Sequence, residues 1–497
     1  MDPIVRMSAN ELATRIKAHE LGPVEVVRAH VERIERVNPA LNAVVAERFE
    51  LALQEAESAE HRLMHSDSSS LPPLFAVPCT IKDFYGVTGL PQTGGIWRRK
   101  NEVATADSTV VRRLREAGAI VLGVTNVPEG GLWLETHNRV YGRSNNPWDL
   151  RRTPGGSSGG EGAIVAAGGA PFGMGSDIGG SIRLPAAFCG ITGHKPTGRR
   201  VPNTGHWPPL EGEHEGYLCC GPMARHVGDL ITVFDIVSGP DGVANVVEWE
   251  PRDPRHVDLR EVRVFPLDEG GVRVSPELRL SVRKSAELLE RRGARVERLR
   301  PDLLREAIWI WGAMMSEHAA PDASYAELVS GDPELSVGRE LARLVLGRSR
   351  HTGPVLALIA AERLMRRFPN RQATRLLELG RAIGRELEET LGDHGVLLHP
   401  PYARTAPRHN AAPASARSGV HGHLQRAGAT CDPGAHGPRR PGPAARRAGR
   451  RRAGKGPPVF GRGTGARGRA RGAHAHRPAG SQRESVIESG ARASTTW

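Results

Sequence analysis

Leu12 and Ile16 stand one helical turn apart behind Ser8-Ala9-Asn10-Glu11, a capping-box sequence, so a helix is predicted to open at Ser8. Gly22-Pro23 ends it and starts another. Val24, Val27, Val31 and Ile34 then recur at helical spacing, and Asn38-Pro39 is expected to stop that run. Residues 42–64 read as a third helix, closing on the polar stretch 66–70. The pattern then changes. Residues 74–81 read as a short buried strand, 108–117 as a helix around Val111 and Leu114, and 119–124 as an apolar strand after the turn at Gly118. Val262 to Phe265 reads as another strand. Ser275-Pro276 caps a helix carrying Leu278, Val282 and Leu289, and 294–299 returns as a strand after Gly293. Residues 303–391 are mostly helical in pattern. Alternation of strand and helix predicts an α/β fold, with a mixed twisted β-sheet core covered by helices on both faces.

Composition changes the picture in one place. The chain has 497 residues and a formal net charge of +13. Residues 1–400 carry net −3, whereas 401–497 carry net +16. The basicity is therefore confined to the tail, and a basic catalytic surface is excluded as its cause. From 401 onward only six Leu, Ile, Val or Phe occur, too few to offset ordering entropy, so a disordered basic tail is expected. Its lack of motifs and near-lack of aromatics argue against a specific nucleic-acid partner, although basic tails bind phosphate backbones non-specifically. Five cysteines, Cys79, Cys189, Cys219, Cys220 and Cys431, have no metal or scaffold spacing, which points to a reducing compartment. Neither a secretory leader nor an apolar run long enough to span a bilayer is visible, so a cytoplasmic location is expected.

The most informative stretch is 153–202, where glycine clusters end on serines, Ser157-Ser158 and Ser181. Interleaved Ile164, Val165, Phe172, Ile178, Ile182 and Phe188 favour a packed site over a flexible linker. A phosphate cradle lacks its GxxxxGK[ST] motif. Gly156-Ser157-Ser158-Gly159-Gly160 fits the GxSxG of an α/β-hydrolase elbow, but Asn145-Asn146-Pro147 and Pro154 stand where that elbow needs an apolar strand. No paired histidines (His61 and His65, His474 and His476) have supporting metal ligands, so no metal is expected.

Several blocks in order carry a resemblance. Pro78-Cys79-Thr80-Ile81-Lys82-Asp83, the Gly-Gly-Ser-Ser-Gly-Gly run, Asp177-Ile178-Gly179-Gly180-Ser181-Ile182-Arg183, Lys195-Pro196-Thr197-Gly198 and Gly221-Pro222-Met223-Ala224-Arg225 are similar to the amidase signature family, across about residues 8–405. Glu161, Ile178 and Gly193-His194-Lys195 resemble its fatty-acid amide hydrolase branch, most closely the second vertebrate type, without that branch's membrane-anchoring N-terminal helix. Amidotransferase A subunits, another branch, usually carry threonine at the Ile178 position.

That resemblance implies a serine amidase acting on a small-molecule carboxylic amide, fatty-acyl or aryl, with no cofactor. Ser181 would be the nucleophile, Ser157 the bridging serine in a cis peptide, and Lys82 the base. Backbone N–H groups of Ile178, Gly179, Gly180 and Ser181 would form the oxyanion hole, with Ser158, Asp177 and Arg183 in support. An inactive relative is the rival reading, a basic-tail nucleic-acid binder a weaker one, and a homodimer stays open. Trp309, Trp311, Met314 and Met315 fit an acyl pocket or, more readily, helical core. The resemblance also implies two domains, 1–405 as the amidase unit without its final strands and helix, and 406–497 as the tail. Arg408-His409-Asn410-Ala411-Ala412-Pro413 and the residues after it have the composition that a shifted frame of a GC-rich gene encodes, so a frameshift near residue 410 is expected.

Overall fold

The computed structural model describes residues 2–209, 215–247, 253–268, 273–299, 304–317, 324–365 and 371–411. Its strands are β1 (Val44–Glu47), β2 (Pro78–Lys82), β3 (Ile120–Thr125), β4 (His137–Asn138), β5 (Gly142–Arg143), β6 (Phe172–Asp177), β7 (Thr192–Gly193), β8 (Cys219–Ala224), β9 (Arg263–Pro266), β10 (Arg295–Val296) and β11 (Gly395–Leu398). The helices are α1 (Ala9–Lys17), α2 (Pro23–Leu41), α3 (Phe49–His65), α4 (Thr109–Glu116), α5 (Gly159–Ala166), α6 (Arg183–Cys189) and α7 (Val227–Val237), then α8 (Pro276–Arg291), α9 (Ala307–Glu317), α10 (Tyr325–Ser330), α11 (Val337–Val345), α12 (Gly353–Met365) and α13 (Arg371–Leu391).

The main sheet has the order β1-β3-β2-β6-β8-β7. Its centre, β3-β2-β6, is parallel, and β1, β8 and β7 join antiparallel. Helices cover both faces, as the alternating sequence pattern predicts. Central parallel strands are buried on both sides, and β2, β3 and β6 are buried at every position. Val26, Val27, Val31 and Ile34 of α2 and Ile164 and Val165 of α5 share one core with Ile81, Val121 and Phe172. Each such side chain contributes roughly 1.5–3 kcal/mol relative to exposure. The second sheet, β10-β9-β11, is parallel. A further core joins α9 and α13 through Ile310, Met314, Leu377 and Leu387.

Helix α1 begins where predicted, with Ser8 Oγ accepting from the Glu11 amide at 3.0 Å. Other elements differ from the sequence reading, and the strand expected at 74–81 forms only at Pro78–Lys82. Helix α2 runs through Pro39 to Leu41. A proline in the last turn removes only one hydrogen bond, and Asn38 closes the end by accepting from the amides of Ala43 and Val44 at 2.8 and 2.9 Å. Residues 44–47 form β1 rather than the start of a helix. They pair with β3, where sheet pairing overrides local helical preference for the β-branched Val44 and Val45. The predicted strand at 294–299 shrinks to Arg295–Val296.

Residues 402–410 pack on the main body. Tyr402 meets Phe188 edge-on at 5.3 Å, the Thr153 amide donates to Pro407 O at 3.0 Å, and His409 Nδ1 lies 2.8 Å from Glu135 Oε1. The sequence reading starts the tail at residue 406, but residues 406–410 pack here, and its residues beyond 411 lie outside the described residues. Among the described residues no helix is long and apolar enough to cross a membrane.

Candidate active site

Parallel strands present their carboxyl ends at one edge of a sheet, which is where ligands of open α/β sheets bind. Lys82 ends β2 and Asp177 ends the neighbouring β6, so the predicted residues start from adjacent strand ends. Ser157 and Ser158 precede α5, and Ser181 precedes α6. The Gly156–Ser157 peptide is cis.

Lys82 is fully buried. Its Nζ lies 2.8 Å from Ser157 Oγ, 3.0 Å from Ser176 O and 3.1 Å from Ser176 Oγ. Burial pushes the amine down to about 7, against the pull of Asp177, Cys220 and Glu161 toward the charged form. Close to working pH, this lysine can exist uncharged. The phenyl ring of Phe84 covers it at 4.9 Å.

Ser181 approaches through the backbone. Its carbonyl accepts from the Ser158 amide at 3.1 Å. Among the described residues no hydrogen bond joins its hydroxyl to Ser157. Ser158 is buried, and its hydroxyl donates to Ser176 O at 3.4 Å.

Asp177 organises the turn that carries Ser181. Its carboxylate accepts from the amides of Gly180 at 2.8 Å and Ile182 at 3.0 Å, and pairs with both Arg183 Nε at 3.0 Å and Nη2 at 2.8 Å. Burial alone would raise this carboxyl. Arg183 more than offsets it and holds the group well below the usual carboxylate range. The turn needs φ +114° at Gly180, a backbone conformation that excludes most side chains. Gly180's amide is committed to Asp177, whereas those of Ile178, Gly179 and Ser181 have no acceptor among the described residues. Of the four amides expected to form an oxyanion hole, that of Gly180 is thus already used by Asp177, and the other three are without an acceptor among the described residues.

Other residues gather here without a sequence signal of their own. Ser176 meets Lys82 with both its carbonyl and its hydroxyl, and His206 Nε2 lies 3.0 Å from that hydroxyl. Glu161 is buried in the first turn of α5 and accepts from Thr80 at 2.6 Å and Thr125 at 3.0 Å, and burial raises its carboxyl to about 8. Glu129 precedes Gly131, which adjoins Ser157. Its carboxylate meets His351 Nδ1 at 2.8 Å and accepts from the Thr352 amide at 2.7 Å, tying the start of α12 to the site. None of these contacts is local in sequence. Glu161 stands out only through the family resemblance.

The α9 residues divide. Met314 is core and Trp309 is exposed, but the Trp311 ring lies against Gly179 on the turn that carries Ser181. Ile178 packs on the same apolar cluster as Met314 and Met315. The turn therefore faces an apolar wall. Among the described residues no group of three or more His, Cys, Asp or Glu could hold a metal ion.

The profile of the amidase family matches residues 25–420. Fatty-acid amide hydrolase 2-A of Danio rerio is 38% identical over 425 residues, covering 82% of this chain and 78% of that one. Fatty-acid amide hydrolase 2 of Homo sapiens is 35% identical over 424 residues, with the same coverage of 82% and 78%. A solved bacterial aryl acylamidase, described as one of the amidase signature enzymes, aligns with a TM-score of 0.66 at 26% identity, over 83% of this chain and 82% of its own.

Proposed function

This chain belongs to the amidase family, and from that premise we propose that it cleaves a carboxylic amide through Lys82, Ser157 and Ser181, by way of an acyl-enzyme. An amide is a weak electrophile with a poor leaving group, so the catalyst must activate a nucleophile, stabilise an oxyanion and protonate the nitrogen. The observation that carries the reading is Lys82 Nζ, buried and 2.8 Å from Ser157 Oγ.

In this reading Ser181 Oγ attacks the carbonyl carbon. Its proton passes to Ser157, whose own proton passes to neutral Lys82. The carbonyl oxygen gains charge and takes donors from the amides of Ile178, Gly179 and Ser181, while Gly180's amide holds the turn through Asp177. Removing a comparable donor costs about 10²–10³ in rate. The proton then returns through Ser157 to the nitrogen, the C–N bond breaks and the amine leaves. Water attacks the Ser181 ester by the same relay, releases the acid and restores the serine.

Ile178 against the Met314 cluster and Trp311 against Gly179 favour an apolar acyl group, fatty or aryl, as do the names of the relatives. Four buried free thiols, Cys79, Cys189, Cys219 and Cys220, support a reducing, cytoplasmic setting.

The test is labelling with a fluorophosphonate, alongside turnover of a panel of aryl and fatty amides. Wild type is expected to label and turn over, and Ser181→Ala to do neither. Equal labelling of the two proteins would overturn the assignment. A wild-type chain that neither labels nor hydrolyses would instead support the inactive-relative reading.

A further inference from the structure

His206 has a role that rests on the Lys82–Ser157–Ser181 reading. A neutral amine offers two N–H donors and one lone pair. To act as a base, Lys82 must aim the lone pair at the Ser157 hydroxyl. Its three oxygen neighbours are Ser157 Oγ, Ser176 O and Ser176 Oγ, at 2.8, 3.0 and 3.1 Å. The Ser176 carbonyl can only accept, so it takes one N–H. The Ser176 hydroxyl can accept or donate. If it accepts, both N–H groups are used and the lone pair is left for Ser157. If it donates, it consumes the lone pair, and Lys82 meets Ser157 with an N–H of the wrong polarity.

The direction depends on where the Ser176 proton goes. His206 Nε2 lies 3.0 Å from Ser176 Oγ, and His206 Nδ1 lies 3.4 Å from Pro208 O. A carbonyl only accepts, so Nδ1 carries the ring hydrogen. Nε2 of the neutral ring then has a lone pair and takes the Ser176 proton. Burial, with Lys82 beside it, pushes the imidazole down to about 3, so the ring is neutral throughout the working range. The edge of Tyr85 at 5.0 Å and the ring of Phe84 at 5.5 Å hold it in place, and the Trp207 amide donates to Phe84 O at 2.7 Å. We propose that His206 is a positioning residue, which turns the Ser176 hydroxyl into an acceptor and so reserves the Lys82 lone pair for Ser157.

The experiment measures kcat, KM and fluorophosphonate labelling rate on the full chain with a fatty-acyl p-nitroanilide. The variants are His206→Leu, His206→Gln, Ser176→Ala and the His206→Leu/Ser176→Ala double. His206→Leu is expected to lower kcat about 10- to 100-fold at nearly constant KM, a share of the roughly 10²–10⁴ that base catalysis supplies. His206→Gln, whose amide oxygen can accept the Ser176 proton, recovers most of that loss. The double variant is no slower than Ser176→Ala, because His206 acts only through that hydroxyl. Full kcat in His206→Leu, additive losses in the double, or equal impairment in Gln and Leu would overturn the proposal. Ser176→Ala takes away the acceptor of one Lys82 N–H and lets the amine turn its lone pair from Ser157. Should His206→Leu fail to fold, Ser176→Ala must therefore still lose kcat rather than KM, and His206→Gln must still exceed it in kcat. Turnover that survives Ser181→Ala or Lys82→Ala would sink the triad reading itself. Loss in those two with an indifferent His206→Leu sinks only the role of His206. A wild type that neither labels nor turns over sinks both.

Discussion

Lys82 is kept in a state its own chemistry resists. A free lysine is charged until about pH 10.4, and here burial brings the amine to about 7. This shift has opposite consequences for activity and stability. In the proposed reading Lys82 acts as the base only when uncharged, so kcat/KM is expected to rise with pH through about 7 and to fall about tenfold per pH unit below it. A pH–rate profile checks this, and an acid limb displaced by several units would separate Lys82 from the chemistry. For stability, the folded chain binds fewer protons than the unfolded one between about 7 and the ordinary value of 10.5, so Lys82's contribution becomes more favourable as pH rises through that window. Below it, both states are protonated and the folded state carries the full cost of a buried ammonium. Lys82→Met should therefore be inactive yet more stable than wild type at pH 6, with the gain shrinking toward pH 10. Melting temperatures at the two pH values decide it. Asp177 is the counterpart whose charge is kept, because Arg183 meets it with two donors.

At Gly160, helix α5 lies closer to its neighbours than a residue with a side chain would allow. A Cβ on Gly160 would sit 2.5 Å from the Asn126 amide nitrogen and 2.7 Å from Ala43 O, both backbone atoms that cannot swing away. Gly384 in α13 is the opposite case, with nothing within 4 Å of its added Cβ. Gly160→Ala is thus expected to destabilise by about 1–3 kcal/mol or more through overpacking. Gly384→Ala should stabilise by up to about 1 kcal/mol, the ordinary helical preference for alanine. Denaturant midpoints of the two variants test the pair, and a same-sign shift would refute the packing argument. Glycine identity in the sequence does not separate these cases, since both lie in helices. Periodicity suffices for α1, α4 and β3, whose apolar faces are set within one element. It does not suffice for β1, whose existence depends on β3, a partner remote in sequence. The end of α2 escapes it for a similar reason, because the Asn38 side chain caps residues beyond the helix.

At the scale of the whole chain, the residues legible in the sequence are those in ordered motifs: Lys82, Ser157, Asp177 and Ser181 on adjoining strand ends and loops. His206, Ser176 and the Glu129–His351 junction are not legible there, because their contacts cross 30 to 222 residues without periodicity or motif. Sequence and fold together raise one further expectation at this scale. Strand β11 is the outer strand of the second sheet, and among the described residues no strand pairs with its far edge. Val396 on it is 36% exposed. An edge of this kind is normally paired, covered or charged. The residues after 411 contain almost no apolar pattern with which to pair it, while Arg, Gly, Ala and Pro dominate. We propose that a shifted reading frame near residue 410 accounts for that change in composition. The nucleotide sequence past codon 410, read in the other two frames, is expected to encode alternating apolar residues suited to further strands. A chain made from that frame should melt higher than this one and bind less to phosphate resins. If neither frame contains such a pattern, the basic segment is the protein's own and the open edge needs another cover.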